Sequence, residues 1–74
     1  MMQTKYIIQM TIPTRPDLEY FYAGLNKEDC AVLDLKKSRA KRYDFFEEAD
    51  RDAKILSVIS KPDTFKVITI RCRT

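Results

Sequence analysis

Seventy-four residues, 45% of them hydrophobic, with a single glycine and three prolines, make one small globular domain spanning 1–74 and exclude a disordered chain. Fourteen basic against eleven acidic residues leave a net charge of +3, too small on its own to mark a dedicated nucleic-acid binder. Histidine is absent and there are only two cysteines, Cys30 and Cys72, which argues against a zinc site and against Ser–His or Cys–His catalysis.

From the N-terminus, "KYIIQMTI" (5–12) alternates, with Tyr6, Ile8, Met10 and Ile12 on one side, which predicts a half-buried strand. Pro13 and Pro16 oppose ladder bonding, so 13–18 is expected as a turn or loop. The aromatic stretch "EYFYAGL" (19–25) predicts a second strand. Its rings Tyr20, Phe21 and Tyr22 are expected to be exposed on both faces if the helix covers only one, which favours a homodimer. "NKED" (26–29) reads as a turn and "CAVLDL" (30–35) as a short third strand closing a hairpin. At the far end, "FKVITIRC" (65–72) is β-branched, with Ile68, Ile70 and Cys72 on one face, and predicts the last strand.

Between them lies a helix. Asp44 and Glu47 have the spacing of a capping box, with Asp in the cap position. Phe45, Ala49, Ala53, Leu56 and Ile59 recur at helical intervals, flanked by Phe46 and Ile55. Phe45 or Phe46 is expected to seal the base of the helix against the sheet, and Tyr43 to staple back onto its first turn. Glu47–Arg51 and Asp50–Lys54 are acid-before-base pairs, each contributing a few tenths of a kcal/mol. Lys61-Pro62-Asp63 ends the segment. The expected fold is α+β: a three- to four-stranded, mostly antiparallel sheet with one main helix, about 45–59, packed on one face in the order β-β-(β)-α-β. Its inner layer is expected to hold Ile8, Met10, Ile12, Ala49, Ala53, Leu56, Ile68 and Ile70.

The run before the helix concentrates charge. Lys36, Lys37, Arg39, Lys41 and Arg42 place five cations in seven residues. Ala40 and Tyr43 are expected to dock this stretch on the core and leave the cations outside. A solvated surface and a contact for phosphate or for an acidic protein are both compatible with such a run. Arg71 and Arg73 extend the patch if the last strand lies beside it. Glu47 and Asp50, immediately downstream, make the surface bipolar.

The pattern "YFYAG" followed by "LKKSRAKRYDFFEEADRDA" resembles one found in small phage and mobile-element accessory proteins, with Ala40, Arg42, Tyr43, Glu48 and Ala49 at the matching positions. The resemblance covers about residues 19–59. Some proteins of that kind inhibit host defence systems such as CRISPR effectors, so it implies a host protein or nucleoprotein complex as partner. It assigns no functional residue.

No enzyme, metal or cofactor is expected. Asp50 and Asp52 point about 200° apart on a helix, and Glu48 with Asp52 reads as a solvated helix flank. With no apolar run near the ~20 residues of a membrane span and no signal-peptide core, the expected setting is the cytoplasm, with reduced thiols. The expected function is that of a small interaction protein binding a partner through its bipolar charged surface. The alternative is a small nucleic-acid binder using 36–42.

Overall fold

The computed structural model describes residues 2–61 and 63–73. Strands β1 (Met2–Ile12), β2 (Arg15–Leu25), β3 (Ala31–Asp34) and β4 (Thr64–Arg73) form one antiparallel sheet in the order β3-β2-β1-β4. A 3-10 turn (Lys37–Arg39) and the helix α1 (Phe46–Ile59) lie between β3 and β4. The chain is an α+β domain of the expected β-β-β-α-β order.

The first hairpin corrects the expected loop at 13–18. The turn takes only Pro13 and Thr14, and β2 begins at Arg15. Thr11 pairs with Glu19 and Ile12 with Arg15, so Pro16, Asp17 and Leu18 fall in a bulge with no partner on β1. A bulge makes no ladder bond there, so the missing N–H of Pro16 costs nothing. The second hairpin is closed by Asn26, whose side chain accepts the N–H groups of Glu28 (2.8 Å) and Cys30 (3.0 Å). Asp29 takes φ 59° in this turn, a left-handed conformation that Asp tolerates.

Both faces of the sheet are covered, which corrects the half-buried reading of β1. Ile7 and Ile8, adjacent and therefore on opposite faces, are both fully buried. Ile8 packs with Tyr22, Tyr43, Ala49, Ala53 and Leu56 under the helix, flanked by Phe65 and Val67 of β4. Ile7 packs with Phe21 and Ala40 on the other face, and Ile68 and Ile70 join them there. The expected inner layer therefore divides: Ile68 and Ile70 face away from the helix, and Ile12, at the bulge, is only half-buried. Phe21 and Tyr22 are buried, not exposed, because Ala40 covers one and the helix side covers the other.

The helix keeps the expected range but not the expected cap or seal. Its N-cap is Phe45, with no side-chain cap, and Asp44 pairs with Lys5 of β1 instead. Phe45 (64% exposed) and Ile59 (73%) leave the stripe, whereas Ala49, Ala53 and Leu56 stay in it. Small residues four apart let the helix axis approach the sheet, and the bulky ends then overhang it. Phe46 sits edge-on to Tyr6, with ring centroids 5.8 Å apart. Pro62, expected to end the segment, lies outside the described residues; the helix ends at Ile59.

Residues 40–43 supply the connection that the sequence did not show. Beyond the Gln9–Phe21 pair, β1 and β2 are no longer paired to each other. Lys41 N–H donates to the Tyr22 carbonyl at 2.8 Å, while Tyr6 and Tyr43 exchange two backbone hydrogen bonds of 3.0 and 2.8 Å. The segment is thus stitched to β2 at one end and to β1 at the other. Ala40 belongs to the face of Ile7 and Tyr43 to the face of Ile8, because an extended segment places residues three apart on opposite faces.

Candidate functional site

The extended segment docked between β1 and β2 distributes the basic run over both faces. Asp34, at the end of β3, accepts the Lys36 N–H at 2.8 Å and lies 3.7 Å from the Arg39 guanidinium. These contacts turn the chain into the 3-10 turn, and Ala40 N–H closes it on the Lys37 carbonyl at 3.1 Å. With Ala40 and Tyr43 buried, all five cations remain exposed, as expected. Lys41 then goes to the helix side, its ammonium 4.9 Å from the centre of the Tyr43 ring. Its neighbour Arg42 joins a cleft with β4.

That cleft is an open cavity of about 590 Å3 in which Lys37, Ser38 and Arg42 meet Arg71, Cys72 and Arg73. The adjacency of Arg71 and Arg73 to the basic run, conditional in the sequence, is present. Five successive residues of β4 (69–73) line the cleft. Successive strand residues point to opposite faces, so backbone as well as side chains must form this wall. β4 is an edge strand, with no strand on its outer side. Among the described residues no acidic one lines the cleft, and Lys37, Arg42, Arg71 and Arg73 take part in no ion pair.

The acidic half of the segment is arranged differently. Asp44 pairs with Lys5, and Asp50 with Lys54 at 3.0 Å, the pair its spacing predicts. Arg51 turns to Asp52 (3.9 Å) and makes no ion pair with Glu47 among the described residues. Glu47 stays exposed in the first turn, where its charge suits the positive end of the helix. Neither Glu47 nor Asp50 lines the cleft. The cations gather without counter-charge, while the acids are largely satisfied within the chain.

Tyr43 donates its hydroxyl proton to the Asp52 carboxylate at 2.6 Å. Burial, then this bond to Asp52, pushes the Tyr43 phenol far above its ordinary range. Burial and the charge of Asp52 also raise Tyr22. Both rings stay neutral at physiological pH and serve packing. Among the described residues no three Cys, Asp or Glu side chains come together as metal ligands. Cys30 and Cys72 are free thiols on opposite edges of the sheet. Three strand spacings, about 14 Å, separate those edges, twice the ~7 Å limit for the Cα atoms of a disulfide.

Ser38 and Cys72 are cleft residues that the charge pattern did not single out, although each stands between cations in the sequence. No family model, curated protein or solved structure matches the chain. These comparisons lend no support to the expected resemblance of residues 19–59 to small phage proteins.

Proposed function

We propose that this chain is a small, non-catalytic binding protein that captures an acidic protein surface at the cleft between Lys37–Arg42 and β4, and so blocks or adapts its partner. The observation that carries this reading is the convergence of Lys37, Arg42, Arg71 and Arg73 on one cleft with no acidic residue among its described lining. An acidic surface meets cations and no opposing charge along this described lining, which favours its approach. The unpaired edge of β4 beside them suits an extended acidic segment, which can add main-chain hydrogen bonds to the charge contacts. The phage-protein resemblance implies that the partner is a host protein or nucleoprotein complex.

A cleft lined by cations also suits phosphate, so nucleic acid is the competing ligand. Two features weigh against it. Among the described residues no aromatic ring lines the cleft to stack a base, and the whole chain carries only +3. The test is titration of the protein with an extended Asp/Glu-rich peptide, and separately with duplex DNA and single-stranded RNA at physiological salt. The expected result is salt-dependent binding of the peptide and no nucleic-acid binding below the micromolar range. Tight nucleic-acid binding with a salt slope of about −0.9 per phosphate contacted on duplex DNA would replace this reading with the alternative.

A further inference from the structure

On the helix side a second surface remains uncovered. α1 packs on β4 and β1, leaving an apolar groove of about 670 Å3 between its C-terminal half and the β2–β3 hairpin. Leu25, Leu33, Ile55 and Ile59 line the groove and are exposed by 60%, 38%, 51% and 73%. A soluble monomer rarely leaves so many large apolar side chains together in water. β3 forms one wall and is also the outer strand of the sheet. It carries apolar residues on successive positions, Val32 and Leu33, hence on both faces, the pattern of a strand covered on both sides. It has no lysine, arginine or proline to discourage pairing.

We propose that the groove and the β3 edge form a self-complementary interface, occupied by a second copy of this chain across a two-fold axis. Three observations favour a second copy over an unrelated partner. The two edges differ in charge: two β4 strands paired antiparallel across a two-fold axis would bring cation-bearing edges together, with Lys66 of one near Arg71 or Arg73 of the other in central registers, whereas two β3 strands oppose no cations. The groove is lined by one cation, Lys41, and two anions, Asp29 and Asp52; Asp52 is already engaged by Arg51 and Tyr43, whereas Lys41 and Asp29 form no ion pair within the chain among the described residues. A two-fold axis lets Lys41 of each copy meet Asp29 of the other, since such an interface is reciprocal. Finally, a ladder of four residues is too short to hold two chains by itself, and the apolar groove beside it supplies the additional buried surface a dimer needs. This interface is separate from the basic cleft, which stays open in the dimer.

The test combines light scattering with the two native thiols. Cys30 lines the groove and Cys72 lines the cleft, so each reports on one surface. The unmodified chain is expected to show a dimer mass by high micromolar concentration, and alkylation of Cys30, but not of Cys72, is expected to slow over the same range. Ile59→Lys, at an exposed helix end, should keep the circular dichroism spectrum and the cooperative melt while weakening the dimer by at least about tenfold. Leu33→Lys should do the same from the strand side. A monomer mass throughout, a dimer indifferent to Ile59→Lys, or slowed alkylation of Cys72 in place of Cys30 would each overturn the proposal. So would a monomer whose Cys30 is shielded only by an added amphipathic peptide, which would assign the groove to a different partner.

Discussion

β3 and β4 are both outer strands of one sheet, yet β4 spreads Lys66, Arg71 and Arg73 over ten residues while the four residues of β3 carry no cation. Both leave backbone donors and acceptors unpaired on one side, which is the usual route to unwanted association. The long strand is protected by repulsion between like charges. The short one has only Asp34 and its brevity as protection, and it adjoins uncovered apolar surface. An edge defended by charge invites the opposite charge; an edge defended by shortness admits a copy of itself. Residues 40–43 link the two, because Lys41 and Arg42 leave the same docked segment for different surfaces, Lys41 for the groove and Arg42 for the cleft.

The substitution expected to do most damage removes both surfaces together. Ala53 is 5% exposed where the helix meets the sheet, and Ala53→Asp puts a carboxylate there with no partner. Burying such a charge costs several kcal/mol, most of the stability of a domain this small. Loss of the cooperative thermal transition is the expected outcome. A cooperatively folded variant would show that the helix is not what holds the sheet together.

Tyr43→Phe acts next, at the docked segment. It removes a hydrogen bond to a charged carboxylate, costing roughly 1.5 kcal/mol where the freed carboxylate is partly hydrated. The same change has a pH signature. The native state raises Tyr43 and Tyr22 above the ordinary tyrosine value of 10.0, so it holds these protons more tightly than the unfolded chain. The stability this contributes is fully present below about pH 10 and is lost as pH rises above it, by up to about 1.4 kcal/mol per pH unit for each ring. Urea unfolding at neutral and strongly alkaline pH should show a shallower alkaline decline for Tyr43→Phe. An unchanged slope would mean that Tyr43 is not the group that titrates.

What the sequence disclosed follows a physical division between local and distant pairing. The alternation of Tyr6, Ile8 and Met10 and the four-residue spacing of Ala49 and Ala53 are local patterns, and they located the helix-side core. Ile7 was hidden in the same strand because its cover, Ala40, arrives from more than thirty residues away. Pro16 misled because a proline announces a missing donor without saying that a bulge makes the donor unnecessary. The cleft was half legible. Its cations stand out as a run, but their sorting between two surfaces depends on residues 40–43 docking between β1 and β2, a distant pairing that no local pattern records.

That sorting can be tested directly. Arg42→Glu with Arg71→Glu reverses two charges in the cleft, and should weaken acidic-peptide binding about tenfold or more, chiefly through slower association. Stability should change by within about 0.5 kcal/mol, as both side chains are exposed. Lys41→Glu, one residue away, should leave peptide binding nearly intact, because Lys41 lies over Tyr43 on the helix side. Equal losses from Lys41→Glu and Arg42→Glu would erase the distinction between cleft and groove.

The smallest effect separates a local from a distant role for Asp44. Spacing alone makes it a helix cap, and as a cap it would be worth about 1 kcal/mol and replaceable by asparagine without loss. In the structure it pairs with Lys5 of β1, with side chains 66% and 24% exposed, and the helix has no side-chain cap. An ion pair this open contributes between 0 and about 1 kcal/mol. Asparagine keeps the capping oxygen but discards the charge, so Asp44→Asn should cost a few tenths of a kcal/mol, a cost absent when Lys5 is already methionine. A cycle of Asp44→Asn and Lys5→Met, followed by urea unfolding at low and high salt, measures that coupling. It should shrink with salt, since screening weakens an exposed pair. If Asp44→Asn is neutral while Asp44→Ala costs about 1 kcal/mol, Asp44 caps the helix after all, and its side chain turns away from β1 in solution.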